Sequence, residues 1–433
     1  MANLIEPKVL KGFRDFLPEA EIERRALIAR IEAQFRLYGF VPIDTPVLEY
    51  TEILLGKGGG ETEKQVYRFI DHGGRDVAMR FDLTVPFARF LAEHRQELPM
   101  PFKRYHIAKV WRGENTQRGR YREFTQCDFD IVGSDTAAAD FEILLIIRNT
   151  LSAIGAGDLC IQVNHRGLFN RFLDRIHALD QSAAILRVVD KLAKAGAAAT
   201  RESLERLVGG ERAGAVLSYI ETKGSFEETL AALTQAAGGS CFESERLRQL
   251  RRFMYDTGTA ASFALNPSIT RGLDYYTGVV YETFLRDLPG IGSVCSGGRY
   301  DHLAALYSRE ALPGVGSSIG LDRLIAALES LGKIAGAKGY IQGVIACLQE
   351  EDGGAYQALA EQLRAQGIAC EVFSEAEKLT RQFMLAEKKG ARWVLIPGKK
   401  PLESPLTLRD LARRQDRTGL TLAEAAALLR EWA

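Results

Sequence analysis

The sequence lacks several patterns that would assign a chemistry at once. Its six histidines form neither an HExxH motif nor a pair spaced four apart, and its six cysteines include no CxxC pair. A zinc site of the usual spacing is therefore not indicated. No Ser-His-Asp or Cys-His set can be inferred from the spacing either, so the sequence gives no support to a protein nucleophile.

An excess of charge and a long apolar run are also missing. Lysine plus arginine number 56, and aspartate plus glutamate number 56, so the formal net charge is zero. Net charge thus gives no support to a nucleic-acid partner, although local runs of charge could still provide one. No apolar run reaches the ~18 residues that a membrane span needs, and the first residues contain no apolar signal segment. We expect a cytoplasmic enzyme or binding protein.

The 433 residues are enough for two or three domains, each with its own core. A small, glycine-rich segment near 332–339 resembles a linker. Beyond it, strand and helix patterns alternate, which predicts an α/β domain at 339–433. Residues 167–255 are mostly helical in pattern and rich in alanine and leucine, so we expect a helical insertion between 1–166 and 256–331.

A predicted hairpin at 101–133 is the strongest local signal. Between Lys103 and Arg122 it holds seven basic residues and one acidic residue, Glu114. A solvated basic face would explain this, but two details favour a pocket. Arg112 ends the first strand, and Gln126 and Asp130 share one face of the second strand because side chains alternate. Arginines beside an amide and a carboxylate suit a zwitterion next to a phosphate.

The stretch "SITRGLDYYTGVVYETF", residues 268–284, predicts a strand in its second half. Thr277 and Tyr281 would face one side, and Tyr276 and Glu282 the other. Paired tyrosines, a glutamate on the inner face and a preceding arginine are unusual in a plain core. The polar residues in question are Arg271, Asp274, Tyr276 and Glu282.

Three other segments carry polar or glycine-rich clusters. Asp82 and Thr84, in "MRFDLT", fit either a helix N-cap or a ligand pocket equally well. The segments "SGGRYDHLAALY" and "PGVGSSIGLDRLIAALESL" are each predicted as a turn that leads into a helix. The glycine spacing of the second does not match the dinucleotide fingerprint, and helix packing would explain it. Arg323, inside the helix start, is less easily explained by packing.

Together these segments resemble class II aminoacyl-tRNA synthetases, and specifically the histidyl-tRNA synthetase family, over nearly the whole chain. Three segments resemble the class motifs, and two resemble the histidine-specific signatures. The class motifs correspond to "YGFVPIDTPVLE", "KVWRGENTQRGRYREFTQCDFDIVG" and "GVGSSIGLDRL", and the signatures to "RGLDYYTGVVYE" and "SGGRYD". The resemblance implies an α/β chain whose catalytic domain, of the α+β kind, is an antiparallel sheet flanked by helices. It also implies an insertion near the tRNA acceptor stem, a C-terminal domain that reads the anticodon, and a homodimer built partly through motif 1.

The resemblance also implies an activity. The family activates L-histidine with ATP and Mg²⁺, and transfers it to the 3′ end of tRNA(His). A carboxylate attacks the α-phosphate, and two unit charges ~4 Å apart repel by about 4 kcal/mol at an effective dielectric of ~20. Fixed cations must offset this repulsion. Arg112 and Arg271 match the catalytic arginines on either side of the α-phosphate. Glu114, Arg120 and Arg323 match further ATP-binding positions.

The histidine pocket can be carried over residue by residue. Three residues match positions around the α-amino group, namely Asp82, Thr84 and Gln126. Asp130 and Tyr276 match those that face the imidazole, and Tyr300 closes the site. The full histidine-binding set implied is Asp82, Thr84, Arg112, Gln126, Asp130, Arg271, Tyr275, Tyr276 and Tyr300. Many bacterial members have glutamate where Asp82 and Asp130 stand, so a water or a shifted backbone would complete those contacts.

Two other functions fit parts of the same pattern. The regulatory subunit of ATP phosphoribosyltransferase shares the catalytic fold and binds histidine, but it generally lacks the C-terminal domain and the charging arginines. A class II synthetase for threonine, proline or glycine shares the C-terminal domain type but not "RGLDYY" or "SGGRYD". Both resemblances are weaker than that to a charging enzyme for histidine.

Overall fold

The computed structural model describes residues 4–56, 61–116, 119–270, 275–308, 310, 312–334, 336 and 338–431. The chain forms two compact units. The first comprises Met1–Asp15 and Leu27–Ile334, and the second comprises Phe16–Ala26 and Ala335–Ala433. Helix α1 (Pro18–Leu37) contributes residues to both.

An eight-stranded sheet forms the centre of the first unit. Its strands are β1 (Val41–Pro42), β5 (Phe102–Trp111), β6 (Glu123–Val132), β7 (Leu159–His165), β8 (Phe263–Leu265), β9 (Val279–Leu285), β10 (Cys295–Tyr300) and β11 (Gly314–Gly320). Their order is β1-β5-β6-β11-β10-β9-β7-β8, and only the outermost pairs, β1 with β5 and β7 with β8, are parallel. A smaller sheet has the order β2-β4-β3, with β2 (Leu48–Tyr50), β3 (Arg68–Ile70) and β4 (Asp76–Met79). The predicted antiparallel sheet with flanking helices is confirmed.

Helices cover this sheet because their apolar faces need burial. They are α2 (Thr51–Leu55), α3 (Thr84–His94), α4 (Ala137–Ala153) and α12 (Leu321–Ser330). Helix α4 buries Phe141, Ile143 and Ile147 against the sheet in the main core. A second cluster, with Phe87 and Leu91 of α3 against Phe102, closes the sheet near β5.

The region between 166 and 256 is helical, as the sequence pattern indicates. It contains α5 (Arg166–Arg175), α6 (Ser182–Asp190), α7 (Leu192–Ala195), α8 (Ala197–Val208), α9 (Gly210–Ile220), α10 (Phe226–Ala236) and α11 (Phe242–Asp256). A buried ion network joins this region to the sheet. Asp140 of α4 accepts from Arg246 of α11 at 2.7 Å and from Arg299 of β10 at 2.8 Å, so both of its oxygens are used.

The two glycine-rich segments are strands, so the prediction of turns there was wrong. Residues 295–300 form β10 and residues 314–320 form β11, side by side in the centre of the sheet. Glycine permits a close approach that a Cβ would prevent. A Cβ on Gly297 would collide with the carbonyl of Gly316, and one on Gly316 would collide with the carboxylate of Asp130. In these two segments tertiary packing, and not the turn propensity of glycine, determines the local structure.

The second unit has its own mixed sheet and core. Its strands are β12 (Gly343–Ile345), β13 (Cys370–Val372), β14 (Trp393–Ile396), β15 (Leu406–Asp410) and β16 (Gln415–Leu420), in the order β13-β12-β14-β15-β16. Its helices are α13 (Gly353–Arg364), α14 (Leu379–Lys388) and α15 (Leu422–Glu431). Trp393, Tyr356 and Leu429 meet in its core. Among the helices that the structure describes in either unit, none is long and apolar enough to span a membrane.

Candidate functional site

A cavity of about 220 Å³ opens in the first unit over the middle of the large sheet. Every predicted site residue that the structure describes lines it: Asp82, Thr84, Arg112, Glu114, Arg120, Gln126, Asp130, Tyr275, Tyr276, Tyr300 and Arg323. Arg271 and Asp274, which the sequence also singled out, lie outside the described residues. Residues that are distant in sequence thus meet in one place.

The fold explains how these side chains converge. Strand β11 lies between β6 and β10, so Gly316 is paired with Asp130 on one side and with Gly298 on the other. Alternation along β6 directs Gln126 and Asp130 to the same face, as predicted. Arg112 follows the last residue of β5, and Tyr300 ends β10. The glycines of the middle strands leave room above the sheet.

A buried carboxylate and a tyrosine form one end of the cavity. Tyr300 donates its hydroxyl hydrogen to Asp130 Oδ1 at 2.5 Å. Asp130 Oδ2 lies 2.7 Å from Arg104 Nη2, an ion pair whose angle falls outside hydrogen-bond geometry. Burial raises the pKa of Asp130, whereas Arg104 and the Tyr300 hydroxyl act to lower it. The carboxylate is held from two sides and still borders the cavity.

Two further buried acceptors lie beside it. Asp82 Oδ1 accepts from the Val85 backbone N–H at 3.1 Å, which caps the start of α3 from the position before its N-cap residue, Leu83. Its Oδ2 is buried and has no hydrogen-bond partner among the described residues. Gln126 donates from Nε2 to Ser318 Oγ at 2.8 Å, while its buried Oε1 also lacks a partner within the described chain. Because Asp82 borders the cavity too, the two sequence interpretations of this residue hold together.

A buried acceptor without a hydrogen-bond partner costs free energy unless a ligand supplies the donor. A carboxylate oxygen and an amide oxygen in one cavity are the partners that an ammonium group needs, since an ammonium has several N–H donors and no acceptor. Burial raises the pKa of Asp82, while the Val85 N–H and the Arg112 charge oppose that rise. This part of the site therefore fits a small cationic group.

Arginines line the same cavity. Arg112 Nε donates to the Phe81 carbonyl at 2.8 Å, and its guanidinium lies 5.1 Å from the Phe124 ring centre. Glu114 pairs with Arg120 at 2.9 Å and lies 3.9 Å from Arg112 Nη1. Arg323 Nη1 donates to the Ser293 carbonyl at 2.6 Å. These fixed cations can face an anionic group such as a phosphate.

Three tyrosine rings line the cavity near Asp130. Tyr275 lies 4.7 Å from Tyr276 and 6.2 Å from Tyr300, measured between ring centres. Tyr276 and Tyr300 are buried and pack with Val280 of β9. The predicted alternation of β9 is confirmed, because Val280 joins this cluster while Val279 and Tyr281 enter the main core.

The basic residues of the hairpin do not share one role. Lys109 is exposed and pairs with Glu123 at 2.7 Å, as a solvated basic face would. Arg112 and Arg120 line the cavity, and Arg104 is fully buried below it. Glu282, whose role the sequence left open, is half-buried on β9 opposite Ser296 and is not among the residues that line the cavity.

Sequence reasoning missed several residues of the site. Arg104 and Asp128 are buried beneath the cavity, and Ser317, Ser318 and Asp322 line it. Asp322 accepts from the Thr125 backbone N–H at 2.7 Å and forms an ion pair with Arg14. A signal for Arg104 exists in retrospect, because the register of the predicted hairpin places it directly opposite Asp130.

Comparison with protein families gives matches over both units. Residues 12–324 match the family described as histidyl-tRNA synthetase, and residues 342–432 match the anticodon binding domain family. A protein of Treponema denticola named histidine–tRNA ligase is 52% identical over 98% of each chain.

Solved structures agree with this match. The crystal structure of histidyl-tRNA synthetase from Nostoc sp. PCC 7120 has a TM-score of 0.87 and 30% identity, and the match covers 99% of this chain and 100% of that one. A structure from Bacillus halodurans C, titled as an ATP phosphoribosyltransferase regulatory subunit/histidyl-tRNA synthetase, has a TM-score of 0.73 over 88% of this chain and 97% of its own. At 22% identity it indicates a shared fold alone.

Proposed function

Because this chain belongs to the histidyl-tRNA synthetase family, we propose that it activates L-histidine with ATP and transfers it to the 3′ end of tRNA(His). One observation carries the proposal beyond family membership. A single cavity is lined both by buried acceptors without a partner among the described residues, on Asp82 and Gln126, and by the arginines Arg112, Arg120 and Arg323. That arrangement fits an amino acid beside a nucleotide phosphate.

Histidine binds at the part of the cavity lined by Asp82, Gln126 and Asp130, which we call the acid end. Asp82 and Gln126 accept hydrogen bonds from the α-ammonium group, and Thr84 borders the same space. Asp130 accepts from a ring N–H of the imidazole, with Tyr276 on the other side of the ring and Tyr275 and Tyr300 closing the pocket. A side chain without ring N–H groups offers no donor to the side of Asp130 that borders the cavity, and sites of this kind discriminate by ~10⁴-fold or more.

Activation takes place between the histidine pocket and the arginines that line the cavity. The histidine carboxylate attacks the α-phosphate, the new C–O–P link forms, and pyrophosphate leaves. Arg112 offsets the repulsion between the two anions, and Arg323 faces the leaving phosphates. Arg271, which lies outside the described residues, is proposed as the second cation at the α-phosphate. Glu114 and Arg120 form the adjoining ATP contact, and Mg²⁺ arrives as part of the ATP substrate.

The remaining parts of the chain serve the tRNA. We assign the catalytic domain to 1–166 and 256–331, the insertion that approaches the acceptor stem to 167–255, and the anticodon-binding domain to 339–433. The match of residues 342–432 to the anticodon binding domain family supports the last assignment. A charging enzyme acts where translation occurs, so we place the protein in the cytoplasm.

We also propose a homodimer built partly through motif 1. Large apolar side chains are exposed on and beside β1, β2 and β3, which include that motif. They are Val41, Val47, Leu48, Tyr50, Phe69 and Ile70. Large exposed apolar patches mark interaction surfaces, and we take these side chains as part of one.

The regulatory-subunit function is not favoured. The chain keeps Arg112 and Arg323 in the cavity and has a second unit with its own core. Charging distinguishes the two functions directly. The purified protein should attach labelled histidine to a tRNA(His) transcript and not to a tRNA for another amino acid. Histidine binding without any charging would favour the regulatory subunit.

A further inference from the structure

Arg104 is a buried cation beside Asp130, at the acid end of the cavity. It lies on β5 opposite Asp130 of β6, and its side chain has no exposed surface. Its guanidinium carbon lies 4.0 Å from the centre of the Phe87 ring. None of its Nε, Nη1 and Nη2 atoms has a hydrogen-bond partner among the described residues. An ion pair and an aromatic face hold this charge instead of hydrogen bonds.

Burying a cation in this way is expensive unless nearby negative charge compensates it. Three buried acids surround Arg104, namely Asp82, Asp128 and Asp130. Burial raises the pKa of each of them, and Arg104 acts in the opposite direction on all three. Arg104 is therefore a countercharge shared by acids of which two border the ligand cavity.

A second buried ion network of the first unit provides a contrast. There, Arg246 and Arg299 donate hydrogen bonds to both oxygens of Asp140, and Arg299 also donates to the Ser134 carbonyl. Asp140, Arg246 and Arg299 are not among the residues that line the cavity, as expected for a structural link. Asp130 differs because it borders the cavity and takes only the Tyr300 hydroxyl as a hydrogen-bond donor among the described residues.

We propose that Arg104 is a positioning residue for histidine recognition, which keeps the Asp130 carboxylate anionic and fixed so that it can accept from the imidazole N–H. This inference rests on the proposed function, because it takes histidine as the ligand of Asp130. Arg104 touches no substrate in this account. Its influence passes through Asp130, so it should govern histidine binding and leave ATP binding largely unchanged.

The test compares variants in histidine-dependent ATP–pyrophosphate exchange, with histidine binding measured by calorimetry. Arg104→Met should raise the KM for histidine by roughly thirtyfold or more, while the KM for ATP and kcat at saturating histidine change by less than about threefold. Arg104→Lys, which retains the charge without the planar fork, should give an intermediate KM for histidine. Arg246→Met breaks the second buried ion network, and should lower thermal stability without raising the KM for histidine.

A double variant tests whether Arg104 affects histidine binding through Asp130. In an Asp130→Asn background, replacing Arg104 by methionine should not raise the KM for histidine further, since the carboxylate that it positions is gone. Proteins often tolerate the replacement of both charged residues of a buried ion pair. The comparison in the Asp130→Asn background therefore remains possible if Arg104→Met alone does not fold. A further rise above about threefold, or equal rises in the KM values for histidine and ATP, would overturn the proposal.

Failure of the inference can be told apart from failure of the proposed function. A wild-type protein that binds histidine without exchange contradicts the proposed activity, and calorimetry of the same variants still decides the role of Arg104. A wild-type protein that binds no histidine overturns both. Normal wild-type exchange with an unaltered Arg104→Met variant overturns only the role of Arg104.

Discussion

At the scale of single residues, the acid end of the cavity combines structural contacts with vacant acceptors. Asp82 shows this division most clearly, because one carboxylate oxygen caps helix α3 while the other has no partner in the described chain. The contribution of the capping contact to stability and that of the unpartnered oxygen to histidine binding can be measured separately. A cap elsewhere in the same unit serves as the control, since Thr136 accepts from the Ala139 N–H at the start of α4.

We expect Asp82→Ala to raise the KM for histidine by about tenfold or more, while the loss of the capping contact, about 1 kcal/mol, is partly offset by removal of a carboxylate whose pKa burial raises. Thr136→Ala should lose about 1 kcal/mol of stability without that offset and leave the KM for histidine unchanged. Thermal melting and ATP–pyrophosphate exchange measure the two effects. If both variants raised the KM equally, loss of the cap rather than of the vacant acceptor would be responsible.

Asp128 makes a prediction about pH. Burial, opposed mainly by Arg104, raises the pKa of this carboxyl from 3.8 to about 7. Since the folded chain holds the proton more tightly than the unfolded chain, this group's contribution to stability decreases as the pH rises from about 4 to about 7. Asp128→Asn removes that cost, so the variant should gain stability over wild type at pH 8, by at most a few kcal/mol.

Near pH 5 the same substitution should have much less effect, because Asp128 is then protonated in the folded state. Denaturant unfolding at the two pH values measures the difference. Asp174→Asn, on the exposed side of α5, should change little at either pH. A gain of equal size at both pH values would contradict the assigned titration of Asp128.

At the scale of the elements, the middle strands of the large sheet create the cavity. Strands β10 and β11 carry glycine where their neighbours approach most closely, and that packing gives Asp130 its space. The helical region is tied to the same strands through Asp140, Arg246 and Arg299. The sheet therefore sets the position of the site, and the flanking helices keep it there.

Gly316→Ala should abolish histidine-dependent exchange, since its methyl group would occupy the space of the Asp130 carboxylate. Gly214→Ala is the control, because a Cβ on this helical glycine would meet nothing within 4 Å. It should be neutral or slightly stabilising, as alanine favours a helix. Exchange assays and thermal melting on both variants check this pair. Retained histidine affinity in Gly316→Ala would mean that Asp130 can move without loss of binding.

At the scale of the whole molecule, the proposed dimer accounts for the apolar side chains exposed around motif 1. Light scattering should give about twice the 47.9 kDa of the chain. Leu48→Lys, at a position that is 44% exposed in the single chain, should lower that mass towards the monomer. Leu402→Lys, at a 54% exposed position of the second unit, should not. A dimer unaffected by Leu48→Lys would place the interface elsewhere.

Much of this architecture could be predicted from the sequence, for identifiable reasons. Period-two alternation placed Gln126 and Asp130 on one face, because β6 is a regular strand opposite β5. The glycines of β10 and β11 were misread as turns, because local propensity contains no information about a neighbouring carboxylate. Arg104 was counted as one more basic residue, since burial of a charge depends on the three acids that the fold brings around it.

The central claim is that this cavity activates histidine, and ATP–pyrophosphate exchange measured with each of the amino acids in turn tests it most directly. We predict exchange with L-histidine and background rates with all others. Exchange with a different amino acid, or none with histidine in a folded protein that binds ATP, would contradict the account.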